Sequence, residues 1–344
     1  MSKKTFEEEN NLGSEEMFEH YRFDVDPGQE IVRIDKFLID RIPNTSRSKI
    51  QIASKNGNIL VNSVKVKQNY KVKPLDKISI VLPYPVRELE LIPEDIPLDI
   101  IFEDDEVLVV NKPSNMVVHP GYGNYTGTLV NALVYHIENL PTKKQDYFGR
   151  PGLVHRLDKH TTGLLVVAKT ENALTNLAKQ FSDRTTERHY YALVWGDVKE
   201  DGKVIANVGR SLKNRKVMTV FEDGISGKNA ITHYKVIKRF GYVTLVECKL
   251  ETGRTHQIRV HMKYIGHPLF YDLEYGGDKI LKGTSNAKYK KFIDNCFSLL
   301  DGQALHAKTI GFKHPSQDHY IRLNSELPNG FQKVIDKWSK YIIV

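Results

Sequence analysis

Two opposite charges, Arg156 and Asp158, interrupt the apolar stretch GLVHRLDKHTTGLLVVAK at residues 152–169. The flanking aliphatic residues predict buried strands, and alternate residues of a strand share one face. Both charged side chains should therefore point the same way, at the end of a strand over Leu153-Val154 and beside a turn at Lys159–Gly163. A buried carboxylate needs a partner, and a neighbouring guanidinium favours its ionised form. An ionised aspartate in this position is a candidate nucleophile or base.

A structural alternative is that Asp158 only caps the turn through Thr161 or Thr162, with Arg156 on the surface. A second polar cluster, in ETGRTHQIRVHMKYIGHP, argues against it. This cluster places five hydrogen-bonding side chains within eight residues: Arg254, His256, Gln257, Arg259 and His261. Such a density is costly to bury without a ligand. The apolar spacing predicts a helix there, from which Arg259 could reach a carboxylate on a neighbouring element.

Aromatic side chains follow in a predicted strand, ERHYYALVWG, after a predicted amphipathic helix from Glu171 to about Asp183. Consecutive strand residues face opposite sides, so only one of Tyr190 and Tyr191 can line a cleft. An aromatic ring beside an ionised aspartate suits stacking on a planar base. The alternative is that both tyrosines are ordinary strand residues.

Positive charge is concentrated near the N-terminus. Residues 28–83 hold eleven Lys and Arg against four Asp and Glu, whereas residues 1–27 have a net charge of −5. Such a basic segment fits nucleic-acid binding, although a solvated surface explains charge alone equally well. We interpret residues 1–27 as an acidic mobile tail without regular structure.

Residues 28–83 have the pattern of two short helices followed by short strands. The first helix has an apolar face and is broken at Pro43-Asn44, and Ser46 can cap a second helix that runs to Gly57. The predicted apolar face consists of Ile34, Phe37, Leu38 and Ile42. The basic residues on or beside the two helices are Arg33, Arg47, Lys49 and Lys55. This arrangement resembles the S4 RNA-binding domain.

The rest of the chain forms a linker and a large domain. Residues 84–97 lie in a proline-rich segment that we interpret as an interdomain linker, and residues 98–344 as the large domain. The large domain opens with strand-like runs broken at Asn111-Lys112-Pro113, and a helix within GTLVNALVYHIENL follows.

Composition excludes several classes of protein. No apolar stretch approaches a membrane span, and the first residues lack the apolar core of a secretory signal. With only Cys248 and Cys296, a disulfide framework or a Cys-rich zinc site is not expected. We therefore expect a cytoplasmic protein without a metal.

Five blocks occur in the order found in the A/C/D type of RNA pseudouridine synthase, the type that modifies large ribosomal RNA. They are NKPSNMVVHP, GLVHRLDKHTTGLLVVAK, ERHYYALVWG, TGRTHQIRVHMKYIGHPL and QALHAKTIGFKHP. The resemblance covers about residues 28–330. Within it, VVHPGYGNYTGTLVNALVYH is most similar to the D-type enzymes, which act on a stem-loop of large-subunit ribosomal RNA.

The resemblance implies an α+β protein, with a small S4-type domain and a mixed catalytic domain built on a mostly antiparallel sheet. It implies isomerisation of specific uridines to pseudouridine in large-subunit (23S) ribosomal RNA by base flipping. Asp158 matches the catalytic aspartate, and Arg156 the residue that displaces and replaces the flipped uridine. Tyr190 matches the tyrosine that stacks on the base, and Arg259 the basic partner of the aspartate. Arg254 is a second candidate for that partner.

Two departures from the family pattern affect the loops around these residues. Thr161-Thr162-Gly163 stands where Thr-Ser-Gly is usual, and the threonine keeps the hydroxyl. Tyr271-Asp272 stands where Gly-Asp is expected, so a bulky side chain changes that loop.

The implied reaction leaves composition unchanged, so it requires neither a redox cofactor nor an energy source. We expect a monomer that binds ribosomal RNA, free or in ribosomal particles, and no membrane. One alternative is a noncatalytic RNA-binding or ribosome-assembly factor of the same fold, which intact Asp158, Tyr190 and Arg259 disfavour. Another is a nucleoside hydrolase or glycosidase, which ordinarily needs a paired carboxylate.

Overall fold

The computed structural model describes residues 17–42, 45–82, 91–121, 123–138, 140–141, 151–214 and 217–341. The chain divides into two compact units, one in its N-terminal part and one that begins at Leu91. Each unit combines helices with sheets. The second is built on a large, mostly antiparallel sheet, so the predicted α+β class is confirmed. No helix within the described ranges is long and apolar enough to cross a membrane.

In its described residues, 17–42 and 45–82, the first unit contains two short helices and six strands. The strands are β1 (Phe18–Asp24), β2 (Val32–Arg33), β3 (Ile59–Val61), β4 (Val64–Lys65), β5 (Lys71–Val72) and β6 (Lys77–Leu82), and the helices are α1 (Ile34–Ile39) and α2 (Arg47–Lys55). Four strands form one sheet in the order β1-β6-β3-β4, and β2 pairs with β5.

The predicted helix pair agrees with the structure in its core and in its cap. All four residues of the predicted apolar face are buried: Ile34, Phe37, Leu38 and Ile42. The Ser46 side chain accepts a hydrogen bond from the Lys49 backbone N–H at 3.3 Å, which satisfies a donor at the start of α2. The predicted break at Pro43-Asn44 lies outside the described residues.

The predicted tail over residues 1–27 is wrong for its described part. Strand β1 pairs antiparallel with β6, and Tyr21, Phe23 and Val25 pack against the core of the first unit. These alternate residues form an apolar face of period two, and the charged Arg22 and Asp24 between them conceal it. Residues 1–16 lie outside the described part of the chain.

The predicted linker over residues 84–97 is wrong for its described part, 91–97. This stretch has no regular structure, but Leu91 packs against the core of the second unit. The carbonyl of Ile92 accepts a hydrogen bond from the Asn131 side chain at 2.8 Å, and Glu94 accepts one from the Gly127 backbone at 3.0 Å. Residues 91–97 are therefore held to the second unit, while residues 83–90 lie outside the described part.

The second unit is built on a ten-stranded sheet with five helices. Its strands are β7 (Ile100–Glu103), β8 (Val107–Lys112), β9 (Thr162–Ala168), β10 (Glu187–Trp195), β11 (Gly202–Arg210), β12 (Met218–Phe221), β13 (Lys228–Arg239), β14 (Val243–Leu250), β15 (Leu305–Lys313) and β16 (Tyr320–Asn324). Its helices are α3 (Leu129–His136), α4 (Glu171–Asp183), α5 (Gln257–Tyr264), α6 (Ala287–Phe297) and α7 (Asn329–Tyr341).

The strand order is β12-β11-β13-β14-β10-β15-β9-β8-β7, with β16 also paired to β15. All pairs are antiparallel except β15 with β9. The central strands are buried on both faces, which explains their continuous apolar sequence. In β9, for example, Leu165 and Val167 pack in one core cluster while Leu164 and Val166 pack in another.

Candidate active site

Asp158 lies in an irregular loop that precedes β9. The predicted strand over Leu153-Val154 is wrong, because Leu153 makes only one isolated bridge, to Val167. The loop does not keep a regular alternation of faces, because Leu157 and His155 pack against different core clusters. Leu157 is buried, whereas Arg156 is exposed and Asp158 keeps 15% of its side chain exposed. The carboxylate is therefore held close to the core but remains accessible.

A half-buried histidine, His155, takes the place of strand pairing in this loop. The His155 ring stacks on Phe181 with ring centroids 4.6 Å apart, and its Nε2 accepts a hydrogen bond from the Val166 backbone N–H at 3.0 Å. Burial lowers the pKa of His155 to about 3, so the ring is neutral and can accept this bond. A side chain thus satisfies a donor of β9 that a neighbouring strand would otherwise satisfy.

Arg259 brings a buried guanidinium to the Asp158 carboxylate. Its Nη1 donates to Asp158 Oδ2 at 3.3 Å, and only 4% of its side chain is exposed. Helix α5 carries Arg259, and the loop before β9 carries Asp158, so the pair joins elements that are 101 positions apart in sequence. The Asp158 carboxylate therefore has a fixed positive charge beside it.

Two further carboxylates hold the Arg259 guanidinium. Asp272, which is fully buried, accepts from Nε at 2.7 Å and from Nη2 at 2.8 Å, and Glu274 accepts from Nη2 at 2.6 Å. Burial alone would lower the pKa of Arg259, but the bonds to Asp272 and the charges of Asp158 and Glu274 raise it overall. Arg259 is therefore a permanently charged and rigidly oriented donor.

A second buried cation, Lys112, lies under the same loop. Its ammonium donates to the backbone carbonyls of Pro113 at 2.7 Å, Met116 at 2.9 Å and Lys159 at 3.1 Å. Burial lowers the pKa of Lys112 to about 7, and the charge of Asp158 acts in the opposite direction. Lys112 thus fastens the residue that follows Asp158 to the turn after β8.

The two tyrosines of β10 face opposite sides of the sheet, as their sequence positions require. Tyr190 is buried in the core cluster that also contains Leu157, and Tyr191 packs against a different cluster. Burial raises the pKa of the Tyr190 phenol, Arg188 opposes this effect, and the charge of Asp158 adds to it. Tyr190 is therefore a neutral aromatic side chain on the side of the sheet that bears Asp158.

The other two predicted arginines do not pair with Asp158. Among the described residues, the ion-pair partners of Asp158 within 4.0 Å are Arg259 and His256. Arg254 instead donates through Nε to the Asn229 carbonyl at 3.1 Å, so its assignment as a second partner of the aspartate is wrong. Arg156 lies in the same loop as Asp158 and is exposed.

The basic residues predicted for RNA binding lie in the first unit. Arg33 and Arg47 both contact the buried Asp35, at 2.8 Å and 3.4 Å, and about half of each arginine side chain stays exposed. Lys49 and Lys55 are on α2, and Lys49 is exposed. A buried carboxylate therefore orients two arginines beside a basic helix.

The hydroxyl of Thr162, where the family pattern has serine, lies 2.8 Å from Nδ1 of the buried His306. Tyr271 replaces an expected glycine and adopts a left-handed φ of 61°, a conformation that glycine tolerates better. Its ring stacks on Phe297 at 4.7 Å, and this contact offsets the strain.

A cleft of about 570 Å³ lies between β12 and α5. Glu274 and Tyr275 are part of its lining, together with Met218, Lys263 and Tyr264. The cleft therefore borders the Arg259 cluster through the Glu274 carboxylate.

Sequence reasoning did not place five side chains beside Asp158: Lys112, His256, Asp272, Glu274 and Tyr275. Two of them had a detectable signal, since His256 belongs to the dense polar cluster around α5 and Lys112 ends an apolar run in the same way that Asp158 interrupts one. Asp272 and Glu274 lie in an irregular loop without periodicity, so no pattern indicated which way they point.

The fold and this site are those of an enzyme that uses a carboxylate as a nucleophile or a base. Beside a mostly antiparallel sheet, a buried arginine pairs with the partly exposed Asp158 carboxylate and with the more exposed Glu274, and a buried tyrosine lies near Asp158. One supported carboxylate can attack a substrate carbon or remove a proton.

Residues 106–264 match the RNA pseudouridylate synthase family. The chain is 43% identical to an uncharacterized RNA pseudouridine synthase of Chlorobaculum parvum, over 91% of this chain and 96% of the relative. It is 42% identical to the ribosomal large subunit pseudouridine synthase D of Zymomonas mobilis, over 87% and 92% of the two chains. In fold it is similar to human RNA pseudouridylate synthase domain containing 1, with a TM-score of 0.52 and 22% identity over 73% and 96% of the chains.

The chain therefore belongs to the RNA pseudouridine synthase family, a family of isomerases.

Proposed function

We propose that this enzyme converts specific uridines of large-subunit ribosomal RNA to pseudouridine, with Asp158 as its essential catalytic residue. The observation that carries the proposal is the ion pair between the buried Arg259 and the accessible Asp158. Similarity to relatives named ribosomal large subunit pseudouridine synthase D supports the choice of substrate. We place the enzyme in the cytoplasm, as a monomer that acts on ribosomal RNA, free or in ribosomal particles.

The reaction is an isomerisation in which all atoms are kept. The bond between N1 of uracil and C1′ of ribose breaks, the base turns over, and a bond forms between C5 and C1′. The proton on C5 leaves and N1 gains one. Asp158 can attack the sugar, attack the uracil ring or remove a sugar proton, and each of these roles needs an ionised carboxylate. Arg259 supplies a positive charge next to this carboxylate.

The target nucleotide must leave the RNA stack before Asp158 can reach it. Extrusion costs a few kcal/mol, which stacking of the base and filling of the gap offset. We assign stacking to Tyr190, on the Asp158 side of the sheet, and gap filling to the exposed Arg156 in the Asp158 loop. Arg254, on the segment before α5, is assigned to RNA contact.

We assign RNA binding in the first unit to an S4-type module. Arg33 and Arg47, which Asp35 orients, would contact phosphates together with Lys49 and Lys55. The excess of basic residues in this segment supports the assignment.

The central test is Asp158→Asn, with pseudouridine in large-subunit RNA measured by base-resolution mapping in cells and by conversion of transcripts in vitro. We expect no detectable product, while RNA affinity and the unfolding midpoint stay close to wild type. A matched control is Asp183→Asn, at the exposed end of α4. Wild-type modification by Asp158→Asn would remove Asp158 from its role. Absence of any modified uridine with the wild-type enzyme would favour a noncatalytic RNA-binding factor.

The RNA-binding assignment has its own test. Arg47→Gln with Lys49→Gln should weaken RNA binding and reduce the slope of log affinity against log salt by about 0.7 to 0.9 for each lost phosphate contact. Lys333→Gln, on the exposed side of α7, serves as the control. An unchanged slope in the double variant would contradict the assignment.

A further inference from the structure

His256 faces the oxygen of Asp158 that Arg259 leaves free. Its Nε2 lies 3.7 Å from Asp158 Oδ1, whereas Arg259 contacts Oδ2 at 3.3 Å. The His256 side chain is only 16% exposed, so few other orientations are open to it. Each carboxylate oxygen therefore has one neighbour of its own.

The other ring nitrogen of His256 is held by Tyr275. Its Nδ1 lies 2.8 Å from the Tyr275 hydroxyl, and this oxygen accepts a hydrogen bond from the Met218 backbone N–H at 3.0 Å. Because the oxygen already accepts from Met218, its own hydrogen is available to Nδ1. The neutral imidazole then carries its proton on Nε2, which points at Asp158.

The neutral form of His256 is favoured by its surroundings. Burial lowers its pKa, and the charge of Arg259 acts in the same direction, although the charges of Asp158 and Glu274 oppose it. The Glu274 carboxylate lies 3.7 Å from Nδ1, farther away than the Tyr275 hydroxyl. Tyr275 is therefore the partner that selects the tautomer.

The backbone of His256 also indicates a specific role. His256 precedes α5 with a left-handed φ of 54°, and its side chain does not cap the helix. Glycine or asparagine would adopt this φ with less strain, and asparagine or glycine is also a better N-cap. Neither local conformation nor capping accounts for histidine here. Strained residues of this kind often occur at functional sites.

We propose that His256 is a positioning residue for Asp158, with Tyr275 fixing its tautomer. The inference rests on the proposed function, because it assumes that Asp158 performs the chemistry. His256 and Arg259 hold the two carboxylate oxygens from different sides and so fix the rotation of the carboxylate. The relay runs from the Met218 backbone through Tyr275 and His256 to the reacting group.

The test uses His256→Gly, which removes the ring and suits the left-handed backbone. We expect kcat to fall by about 100-fold while KM changes by less than about twofold, since a misplaced reacting group loses rate rather than binding. Added imidazole should restore part of kcat by entering the space of the lost ring. The unfolding midpoint combines two opposing effects, relief of the strain at residue 256 and loss of the ring's contacts with Tyr275, so the imidazole rescue of kcat is the deciding measurement.

Tyr275→Phe tests the tautomer. We expect a fall in kcat of about 10-fold, smaller than for His256→Gly because the ring remains. Nitrogen-15 NMR of the histidines should show Nε2 protonated in the wild type and a mixture of tautomers in Tyr275→Phe. Tyr320→Phe, at an exposed position of β16, also removes a hydroxyl that accepts a backbone hydrogen bond, from Glu187, and should leave kcat and the His256 signals unchanged.

Wild-type kcat in His256→Gly would overturn the proposal. A fall in kcat that added imidazole does not restore would also overturn it and indicate a merely structural residue. If Asp158→Asn is inactive while His256→Gly is normal, only this inference fails. If Asp158→Asn is fully active, the proposed function fails as well.

Discussion

Asp272 holds Arg259 in a two-pronged ion pair, with distances of 2.7 Å and 2.8 Å, on the far side of the guanidinium from Asp158. The distance from Arg259 to Asp158 is longer, at 3.3 Å. The arginine is thus fixed by a buried aspartate and offers its remaining edge to the accessible one. This arrangement suits a site in which Asp272 orients the guanidinium of Arg259 and Asp158 reacts with the substrate.

Asp272→Asn should therefore damage both stability and activity. It leaves the buried Arg259 without its main partner, which should lower the free energy of unfolding by about 3 kcal/mol. Urea unfolding and pseudouridine formation measure the two effects, and Asp294→Asn, at an exposed position of α6, is the control. An Asp272→Asn variant with full activity would show that Arg259 needs no such support.

Lys112→Met should loosen the loop that carries Asp158. Three backbone carbonyls lose their donor, at a cost of about 1 kcal/mol each, so unfolding should become easier by about 3 kcal/mol. The matched control is Lys159→Met, because the exposed Lys159 side chain is lost while its carbonyl remains. Equal unfolding midpoints for the two variants would contradict the role given to Lys112.

Stability should fall as the pH drops from about 6.5 to about 4. Burial lowers the pKa of His306 and of His261 from 6.5 to about 4. In this window the unfolded chain binds protons that the folded chain does not, so the free energy of unfolding decreases; above pH 6.5 the full stability is present. Each histidine contributes about 3 kcal/mol to this change.

Urea unfolding at pH 7.5 and pH 4.5 measures this dependence. His306→Gln removes one titrating ring. The difference between the free energies of unfolding of the variant and the wild type at pH 7.5 measures the cost of the substitution that is unrelated to protonation. Between pH 7.5 and pH 4.5, the free energy of unfolding of the variant should fall by about 2.5 kcal/mol less than that of the wild type. An identical pH dependence in the variant would show that His306 does not titrate in this way.

Gly163 should not tolerate a side chain. It has a φ of +106°, and an added Cβ would come within 2.6 Å of the Ala307 backbone N, where β9 meets β15. Gly163→Ala should cost about 3 kcal/mol or more and reduce activity, since the strand begins just after Asp158. Gly241→Ala has a comparable φ of +76° but open space around it, and should cost about 1 kcal/mol. Thermal unfolding of the two variants separates crowding from backbone strain. Equal losses of stability in the two variants would refute the close approach of Gly163 to the Ala307 backbone.

The sequence by itself determined the elements whose patterns are periodic. Helix α4 was predicted from Glu171 to about Asp183 and is observed at Glu171–Asp183, because its apolar residues recur at helical spacing. The sequence also indicated Asp158 as a candidate site residue, since a charge within an apolar run is conspicuous in any fold. Period two was present in β1 as well, but charged neighbours of both signs concealed it until pairing with β6 was seen.

Only the tertiary structure decided which groups surround Asp158. Lys112, His256 and Asp272 come from three separate segments, and their side-chain directions depend on how strands and helices pack. Arg254 and Arg259 lie in the same short segment, and the sequence offered both as partners of Asp158. Of the two, only Arg259 reaches the carboxylate. Sequence spacing fixes local geometry over a few residues, whereas contacts between distant segments are set by packing of the whole sheet.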